Sequence, residues 1–306
     1  MDIEIAGLAV LAIVARAVYP RLLERRQARR RPTGPDGIII GAEEITRERE
    51  SAPAILVLHG GGDTPQVVRE MADSLHQRGF AVRVPLLADH GRRLAAMRVF
   101  DASKWRQQVR REFEMLRLGH QWVGVVGLSV GGALALDLAA GRDDVGALVL
   151  LAPFVAVSRT IRVLARTSRW WGPLLPYLPS RGGRSIHDPV AAARGLAHGL
   201  ITPAELRSLV DAANLAHDAL SRTKSPTLMI QSREDNRVSA AAAEQAFAKL
   251  GCPDKRFVWT EGAGHVITVD YGKNRVFEQT TEWMQAHVHP ATLLTAVRGP
   301  TIPRPT

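Results

Sequence analysis

The residues able to do chemistry in this chain gather around one serine. Gly127-Leu128-Ser129-Val130-Gly131 follows an apolar stretch, Trp122 to Val126, and leads into an alanine-rich helical stretch, Val130 to Ala140. At a sharp turn from strand to helix the serine backbone is strained, and the two glycines let neighbouring chain pass close by. The hydroxyl is left exposed at the edge of a sheet. The helix amino terminus behind it favours negative charge on a reacting oxygen. A hydroxyl is a poor nucleophile at neutral pH, so Ser129 needs a base, and the base needs an acid to orient it.

Both appear late in the chain. Pro226 to Gln231 reads as a strand, and the loop after it, Ser232-Arg233-Glu234-Asp235-Asn236-Arg237-Val238, carries two adjacent carboxylates competent for the acid role, Glu234 and Asp235. The next strand, Lys255 to Thr260, ends in Glu261-Gly262-Ala263-Gly264-His265, a glycine-flexed loop that can present an imidazole. Of ten histidines, His265 is the one that follows a late strand. His59 heads a run of three glycines and is expected to order that loop, and Asp270 is expected to cap the last helix. His59-Gly60-Gly61-Gly62-Asp63 follows the apolar strand Ala54 to Leu58. One amide facing a developing oxyanion comes from such a loop and the other from the residue after the nucleophile, which points to Gly61 N–H and Val130 N–H.

These loops need a rigid support, and the pattern around them supplies one. Strand candidates at 54–58, 80–84, 122–126, 145–151, 226–231 and 255–260 alternate with helical stretches at 65–78, 103–118, 130–140, 240–250 and 273–287. Such alternation predicts an α/β fold: a mainly parallel, doubly wound sheet covered by helices on both faces, with ligands at the carboxyl ends of its strands. Residues 154–224 interrupt the rhythm and are too long for a loop, so they are expected to form a helical cap inserted into the body. The expected organisation is a hydrophobic and basic segment at 1–31, a core in two parts at 32–153 and 225–289 around the cap, and a proline-rich tail at 290–306. Phe154, Trp170, Trp171, Leu174, Leu175 and Tyr177 offer apolar surface to roof an acyl pocket.

The chain has 306 residues, 46% hydrophobic and 23% charged, with a net charge of +10 and one cysteine. That composition excludes whole-chain disorder, intramolecular disulfides and a cysteine-built zinc site. Seven arginines before residue 32 supply much of the positive charge and the rest is diffuse, which argues against nucleic acid as a partner. Ile5 to Ala15 is an unbroken apolar run, and extended to residues 3–23 it just reaches membrane-spanning length. The arginines follow it, so as an anchor it would leave the body on the cytoplasmic side. The other reading is a helix docked on the body or lying on the membrane surface.

The chain resembles the α/β-hydrolases of the bacterial carboxylesterase and monoacylglycerol lipase type. The resemblance is carried by Leu56-Val57-Leu58-His59-Gly60, Gly127-Leu128-Ser129-Val130-Gly131-Gly132, Gln231-Ser232-Arg233-Glu234-Asp235 and Gly264-His265-Val266-Ile267-Thr268-Val269-Asp270, over about residues 53–288. It implies the α/β-hydrolase fold, Asp235 rather than Glu234 as the acid of a Ser129-His265-Asp235 triad, and an acyl-enzyme route to ester hydrolysis. The implied partner is a small-molecule ester bearing an acyl chain, with no cofactor and no metal. Relatives carry a larger residue where Gly61 stands, so the hole is expected to be wider here. The alternatives are acyl transfer or thioester cleavage by the same triad, and a catalytically idle scaffold of the same fold.

Overall fold

The computed structural model describes residues 18–180 and 185–288. Among them the strands are β1 (Ile45–Arg47), β2 (Ala54–Leu58), β3 (Ala81–Val84), β4 (Val123–Leu128), β5 (Leu148–Leu151), β6 (Leu178–Pro179), β7 (Leu200–Ile201), β8 (Thr227–Ser232) and β9 (Lys255–Thr260). Seven of these form one sheet in the order β1-β3-β2-β4-β5-β8-β9, parallel throughout except for the edge strand β1. Every residue of β2, β4, β5 and β8 is buried, which explains the apolar runs: helices cover both faces, leaving no solvent side to mark with polar residues. Along β2 the pleat sends Ala54, Leu56 and Leu58 into one core and Ile55 and Val57 into the other.

The helices are α1 (residues 18–30), α2 (Arg69–Gln77), α3 (Ala102–Gly119), α4 (Val130–Ala139), α5 (Arg159–Trp171), α6 (Pro189–Arg194), α7 (Pro203–Ala219), α8 (Ala240–Lys249) and α9 (Lys273–Ala286). The helical spacing from Pro65 divides into a 3-10 turn, Pro65–Val68, and α2. Asp101 caps α3, its Oδ1 accepting the Ser103 N–H at 2.8 Å. α3 and α4 build one core with Trp105, Phe113, Leu134 and Leu136, and α2 and α9 build the other with Met71, Leu75, Val276 and Trp283.

Residues 154–224 hold α5, α6, α7 and the β6–β7 ladder. α7 packs directly on α4 and buries Ala212, Ala213, Ala216 and Ala219, whose small side chains let the two helices approach closely. α5 packs on α7, one layer further out. The expected anchor over residues 3–23 falls mostly outside the described residues. Within them no helix is long and apolar enough to cross a membrane, so the anchor gains no support there. What is described of that segment, α1, docks on the body: Tyr177 Oη–H donates to the Glu24 carboxylate, and Gln27 Nε2 donates to His198 O at 3.1 Å.

Candidate active site

β4 ends against Ser129, which holds φ 54° and ψ −115° and opens α4. A non-glycine residue adopts that backbone only under surrounding constraint. Its N–H donates to Leu151 O at 2.9 Å and its carbonyl accepts from Phe154 N–H at 2.9 Å, so β5 and the start of the insertion lock the turn. Both flanking glycines are required by contact. A Cβ on Gly127 would fall 2.4 Å from Gly131 O, and one on Gly131 would fall 2.3 Å from Leu58 O.

The loops after β8 and β9 converge on this turn. Ser129 Oγ–H donates to His265 Nε2 at 2.7 Å, and His265 Nδ1–H donates to Asp235 Oδ2 at 2.7 Å. Asp235 Oδ2 also accepts from Gln231 Nε2 at 2.7 Å, while Oδ1 accepts the backbone N–H groups of Arg237 at 2.7 Å and Val238 at 3.0 Å. Burial alone would raise this carboxyl, but the His265 hydrogen bond and the backbone donors outweigh it and hold it below the usual carboxylate range. An ionised carboxylate only accepts, so it fixes the proton of His265 on Nδ1 and leaves Nε2 free to take the serine proton. Glu234 lies elsewhere: it accepts the Gly262 N–H at 3.0 Å and stands 3.6 Å from His187 Nδ1.

Gly61 and Val130 border the same cavity as Ser129 and His265. The Val130 N–H belongs to the first turn of α4, which has no intrahelical acceptor, and the Gly61 N–H has no backbone acceptor among the described residues. The wider hole expected from Gly61 is not found. A Cβ there would sit 2.8 Å from Val130 Cγ2 and 3.3 Å from Leu209 Cδ2, so neighbouring side chains already fill the space.

Two further expectations change. Asp270 does not cap the last helix. Gly272, at φ 74°, takes the cap position of α9, and Asp270 accepts N–H donors from Gly264 and His187 at 2.7 Å, Asp188 at 2.8 Å and Tyr271 at 2.9 Å. It thus ties the His265 loop to the inserted segment. Of the six apolar residues expected to roof the pocket, Phe154 borders it; Trp170 is 85% exposed, Leu174 and Leu175 face solvent, and Tyr177 is bonded to Glu24. α5, which carries Trp170 and Trp171, packs on α7, and neither tryptophan lines the cavity. His59 orders its loop as expected: fully buried, it pairs Nδ1 with Gly60 O at 2.9 Å and accepts Leu87 N–H on Nε2 at 3.1 Å. Burial depresses its pKa to about 4, so it stays neutral.

The cavity measures about 260 Å³. Its lining is mixed: Phe154, Ile186, Leu200, Ile201 and Leu209 are apolar, and Asp63, Glu205 and Arg237 are charged or ionisable. Glu205 is 5% exposed with Oε1 against Gly62, and its Oε2 has no hydrogen-bond partner. Burial, with Asp63 adding to it, pushes the Glu205 carboxyl up to about 8. Burial pushes Asp63 to about 6, against the opposing pull of His265 and Arg237. Sequence reasoning gave none of these three a role. Asp63 is adjacent to the glycine run, the one cue that was available.

A parallel sheet with a strained serine turn at its centre and histidine and carboxylate loops at its carboxyl edge defines an α/β-hydrolase. The family described as serine aminopeptidase, S33, matches residues 49–271, and the chain belongs to it. It is similar to a thermostable monoacylglycerol lipase of Bacillus sp. (strain H-257), with 28% identity over 82% of this chain and 97% of that protein. It is also similar to a carboxylesterase of Bacillus subtilis (strain 168), with 24% identity over 76% of this chain and 92% of that protein. Among solved structures, a chain of the metagenome-derived lipolytic enzymes LipS and LipT superposes with a TM-score of 0.75 at 27% identity, over 82% of this chain and all of that one. The Paleococcus ferrophilus monoacylglycerol lipase shares the fold at a TM-score of 0.69 and 20% identity, over 80% of this chain and 98% of that one.

Proposed function

We propose that this protein is a carboxylic ester hydrolase that works through Ser129, His265 and Asp235 and an acyl-enzyme. The observation that carries the reading is the continuous pair of 2.7 Å hydrogen bonds from Ser129 through His265 to Asp235. As Ser129 Oγ attacks the ester carbonyl, its proton passes to His265 Nε2, and Asp235 stabilises the resulting imidazolium. The tetrahedral oxygen takes its charge beside the Gly61 and Val130 amides, where fixed donors contribute about 3 kcal/mol each in comparable sites. On collapse the C–O bond to the alcohol breaks and His265 returns the proton to the departing oxygen. Water then attacks the acyl-enzyme with the same base, releasing the acid and restoring Ser129.

The mixed lining of the cavity supports an ester with an acyl and a polar portion. An acyl group lies along Phe154, Leu200 and Leu209, and a polar portion of the ester meets Asp63, Glu205 and Arg237. The volume of about 260 Å³ lies below the usual range for pockets of drug-sized ligands, about 300–1,000 Å³, and favours short acyl chains. The monoacylglycerol lipase and carboxylesterase relatives support an ester as substrate.

The test is the initial rate on p-nitrophenyl esters from acetate to palmitate, with Ser129→Ala beside the parent and a fluorophosphonate probe on both. The parent is expected to turn over the shorter esters and to label at Ser129. The variant is expected to lose at least about 10³-fold in rate and all labelling. Equal rates in the two proteins would overturn the assignment.

A further inference from the structure

Cavity wall 195–201 is held from outside the region that matches the family. This stretch runs from the end of α6 into β7 with Gly195 and Gly199 near its ends. Gly195 N–H closes α6 on Ala192 O and Gly199 O accepts from Ser180 N–H beside the β6–β7 ladder, while the carbonyls of 195–198 have no backbone donor among the described residues. Its carbonyls turn instead to the end of α1. Arg31 Nε donates to Leu196 O at 2.7 Å, and Arg31 Nη2 donates to Gly195 O at 3.2 Å and to Ala197 O. Gln27 Nε2 donates to His198 O at 3.1 Å, so four consecutive carbonyls are collected by two side chains one helical turn apart. On the far side, His198 Nε2–H donates to Arg92 O at 2.9 Å, closing the clamp against the body. Burial, with the Arg31 charge adding to it, lowers the His198 pKa from the ordinary imidazole value.

The geometry around Arg31 is specific. A planar guanidinium offers several donors in a fixed fork and can span neighbouring carbonyls, which a lysine ammonium on a flexible stem cannot reproduce. Gln27 is buried although α1 is otherwise largely exposed, and Arg31 itself borders the cavity with Gly195, Ala197 and His198. The family match begins at residue 49, so both side chains lie in an extension that the match does not include.

We infer that this amino-terminal arm is a working part of the substrate pocket, in which Arg31 and Gln27 are positioning residues that fix wall 195–201 and through it the acyl selectivity of the enzyme. The kinetic part rests on the ester-hydrolase reading above. The structural part does not. Neither side chain touches Ser129, His265 or Asp235, so loosening the wall leaves the chemical step intact and weakens the grip on the acyl chain.

The test compares full-length parent, Arg31→Ala, Arg31→Lys, Gln27→Ala and, as a control on the exposed face of the same helix, Arg26→Ala. Two readouts are taken: amide hydrogen exchange, and kcat and KM on the p-nitrophenyl ester series. Arg31→Ala is expected to raise KM on the best short ester about fivefold or more with kcat within about twofold, and to shift the optimum to a longer chain. Amides of 195–201 are expected to exchange at least about tenfold faster while those of β4 and α4 hold their protection. Arg31→Lys and Gln27→Ala are expected to fall between these values and the parent's, and Arg26→Ala to match the parent. If Arg31→Ala does not fold, Gln27→Ala and Arg31→Lys decide by the same criteria. Unchanged exchange at 195–201 overturns the inference whether or not any ester is turned over. A uniform fall in kcat with an unchanged chain-length optimum also overturns it, because that is what general destabilisation would produce. A parent that exchanges as expected but hydrolyses no ester refutes the proposed function and leaves the arm's hold on the wall standing.

Discussion

Asp235→Asn isolates what the buried carboxylate does for His265, and the four hydrogen bonds around it allow the outcome to be worked out. The carboxylate accepts four donors, two on each oxygen. An amide must place its NH2 on one side. Turned toward the Arg237 and Val238 N–H groups, it would set donor against donor twice and leave two buried amides without acceptors, at a cost of about 1–3 kcal/mol each. Turned the other way it meets Gln231 and His265, and Gln231 can adapt. Its Oε1 has no partner in the native arrangement, so a flip of the amide presents an acceptor. The second orientation therefore wins, and the new NH2 donates to His265 Nδ1. That forces the imidazole proton onto Nε2, the atom that must receive the Ser129 proton. The ring keeps its place but cannot act as base, a change worth about 10⁴-fold in kcat in comparable triads, or about 5 kcal/mol of transition-state stabilisation. Initial rates on a short p-nitrophenyl ester, normalised to protein that binds a noncovalent substrate analogue, measure the fall. A thermal melt of the same sample is expected to fall by only a few °C, because the Arg237 and Val238 amides keep their acceptor and Gln231 Nε2 alone among the four donors gives up its partners. Retention of about a tenth of parental kcat would refute the reasoning. So would an equal loss in Glu234→Ala, since Glu234 is bonded to Gly262 and not to the imidazole.

Asp270→Ala removes the acceptor shared by Gly264, His187 and Asp188. It is expected to lower kcat about 10- to 100-fold by loosening the His265 loop, and fluorophosphonate labelling is expected to slow in proportion. Gly61→Ala would press a methyl to 2.8 Å from Val130 Cγ2, the end of a movable side chain. The fold is expected to survive while kcat drops about tenfold or more from a displaced amide, seen as a kinetic loss without a comparable fall in Tm. Gly131→Ala meets backbone at 2.3 Å, which cannot give way, so this variant is expected to yield little folded protein on expression. Glu205→Gln tests the buried carboxyl by pH. Because the folded value, about 8, lies above the ordinary 4.5, the contribution of Glu205 to stability is complete below about pH 4.5 and is lost as pH rises through 8. The variant carries no such loss, so melts at pH 5 should coincide and at pH 9 it should melt a few °C above the parent. Coincident melts at both pH values would show that the folded Glu205 titrates as it does in the unfolded chain, and would refute the raised value.

What was legible in the sequence is what local chemistry dictates. Strands buried on both faces must be continuously apolar, and the serine turn must carry glycine where backbone passes backbone, so both left contiguous signatures. His265 and the adjacent pair Glu234 and Asp235 are legible because a parallel sheet delivers its loops to one edge, which converts strand order into proximity; the choice of Asp235 within that pair came from the family resemblance. Where partners come from afar, the sequence carries no comparable mark. Asp270 stands three residues before a helix, which is where a cap belongs, yet its donors include His187 and Asp188 from the insertion. Trp170 and Trp171 looked like pocket surface on hydrophobicity alone. The close packing of four alanines on α4 makes α7 the layer nearest the serine, leaving α5 outside it and placing Glu205 and Leu209 at the cavity. The arginine-rich end of the first segment read as charge flanking an apolar run, while the role of Arg31 lies in three backbone carbonyls more than 160 residues away. Hydrogen bonds to main chain are blind to the identity of the residue that supplies the carbonyl, so no side chain in 195–197 records the contact. The site's reactive groups are thus written in residue types, and the shape of its pocket in packing between segments that share no local pattern.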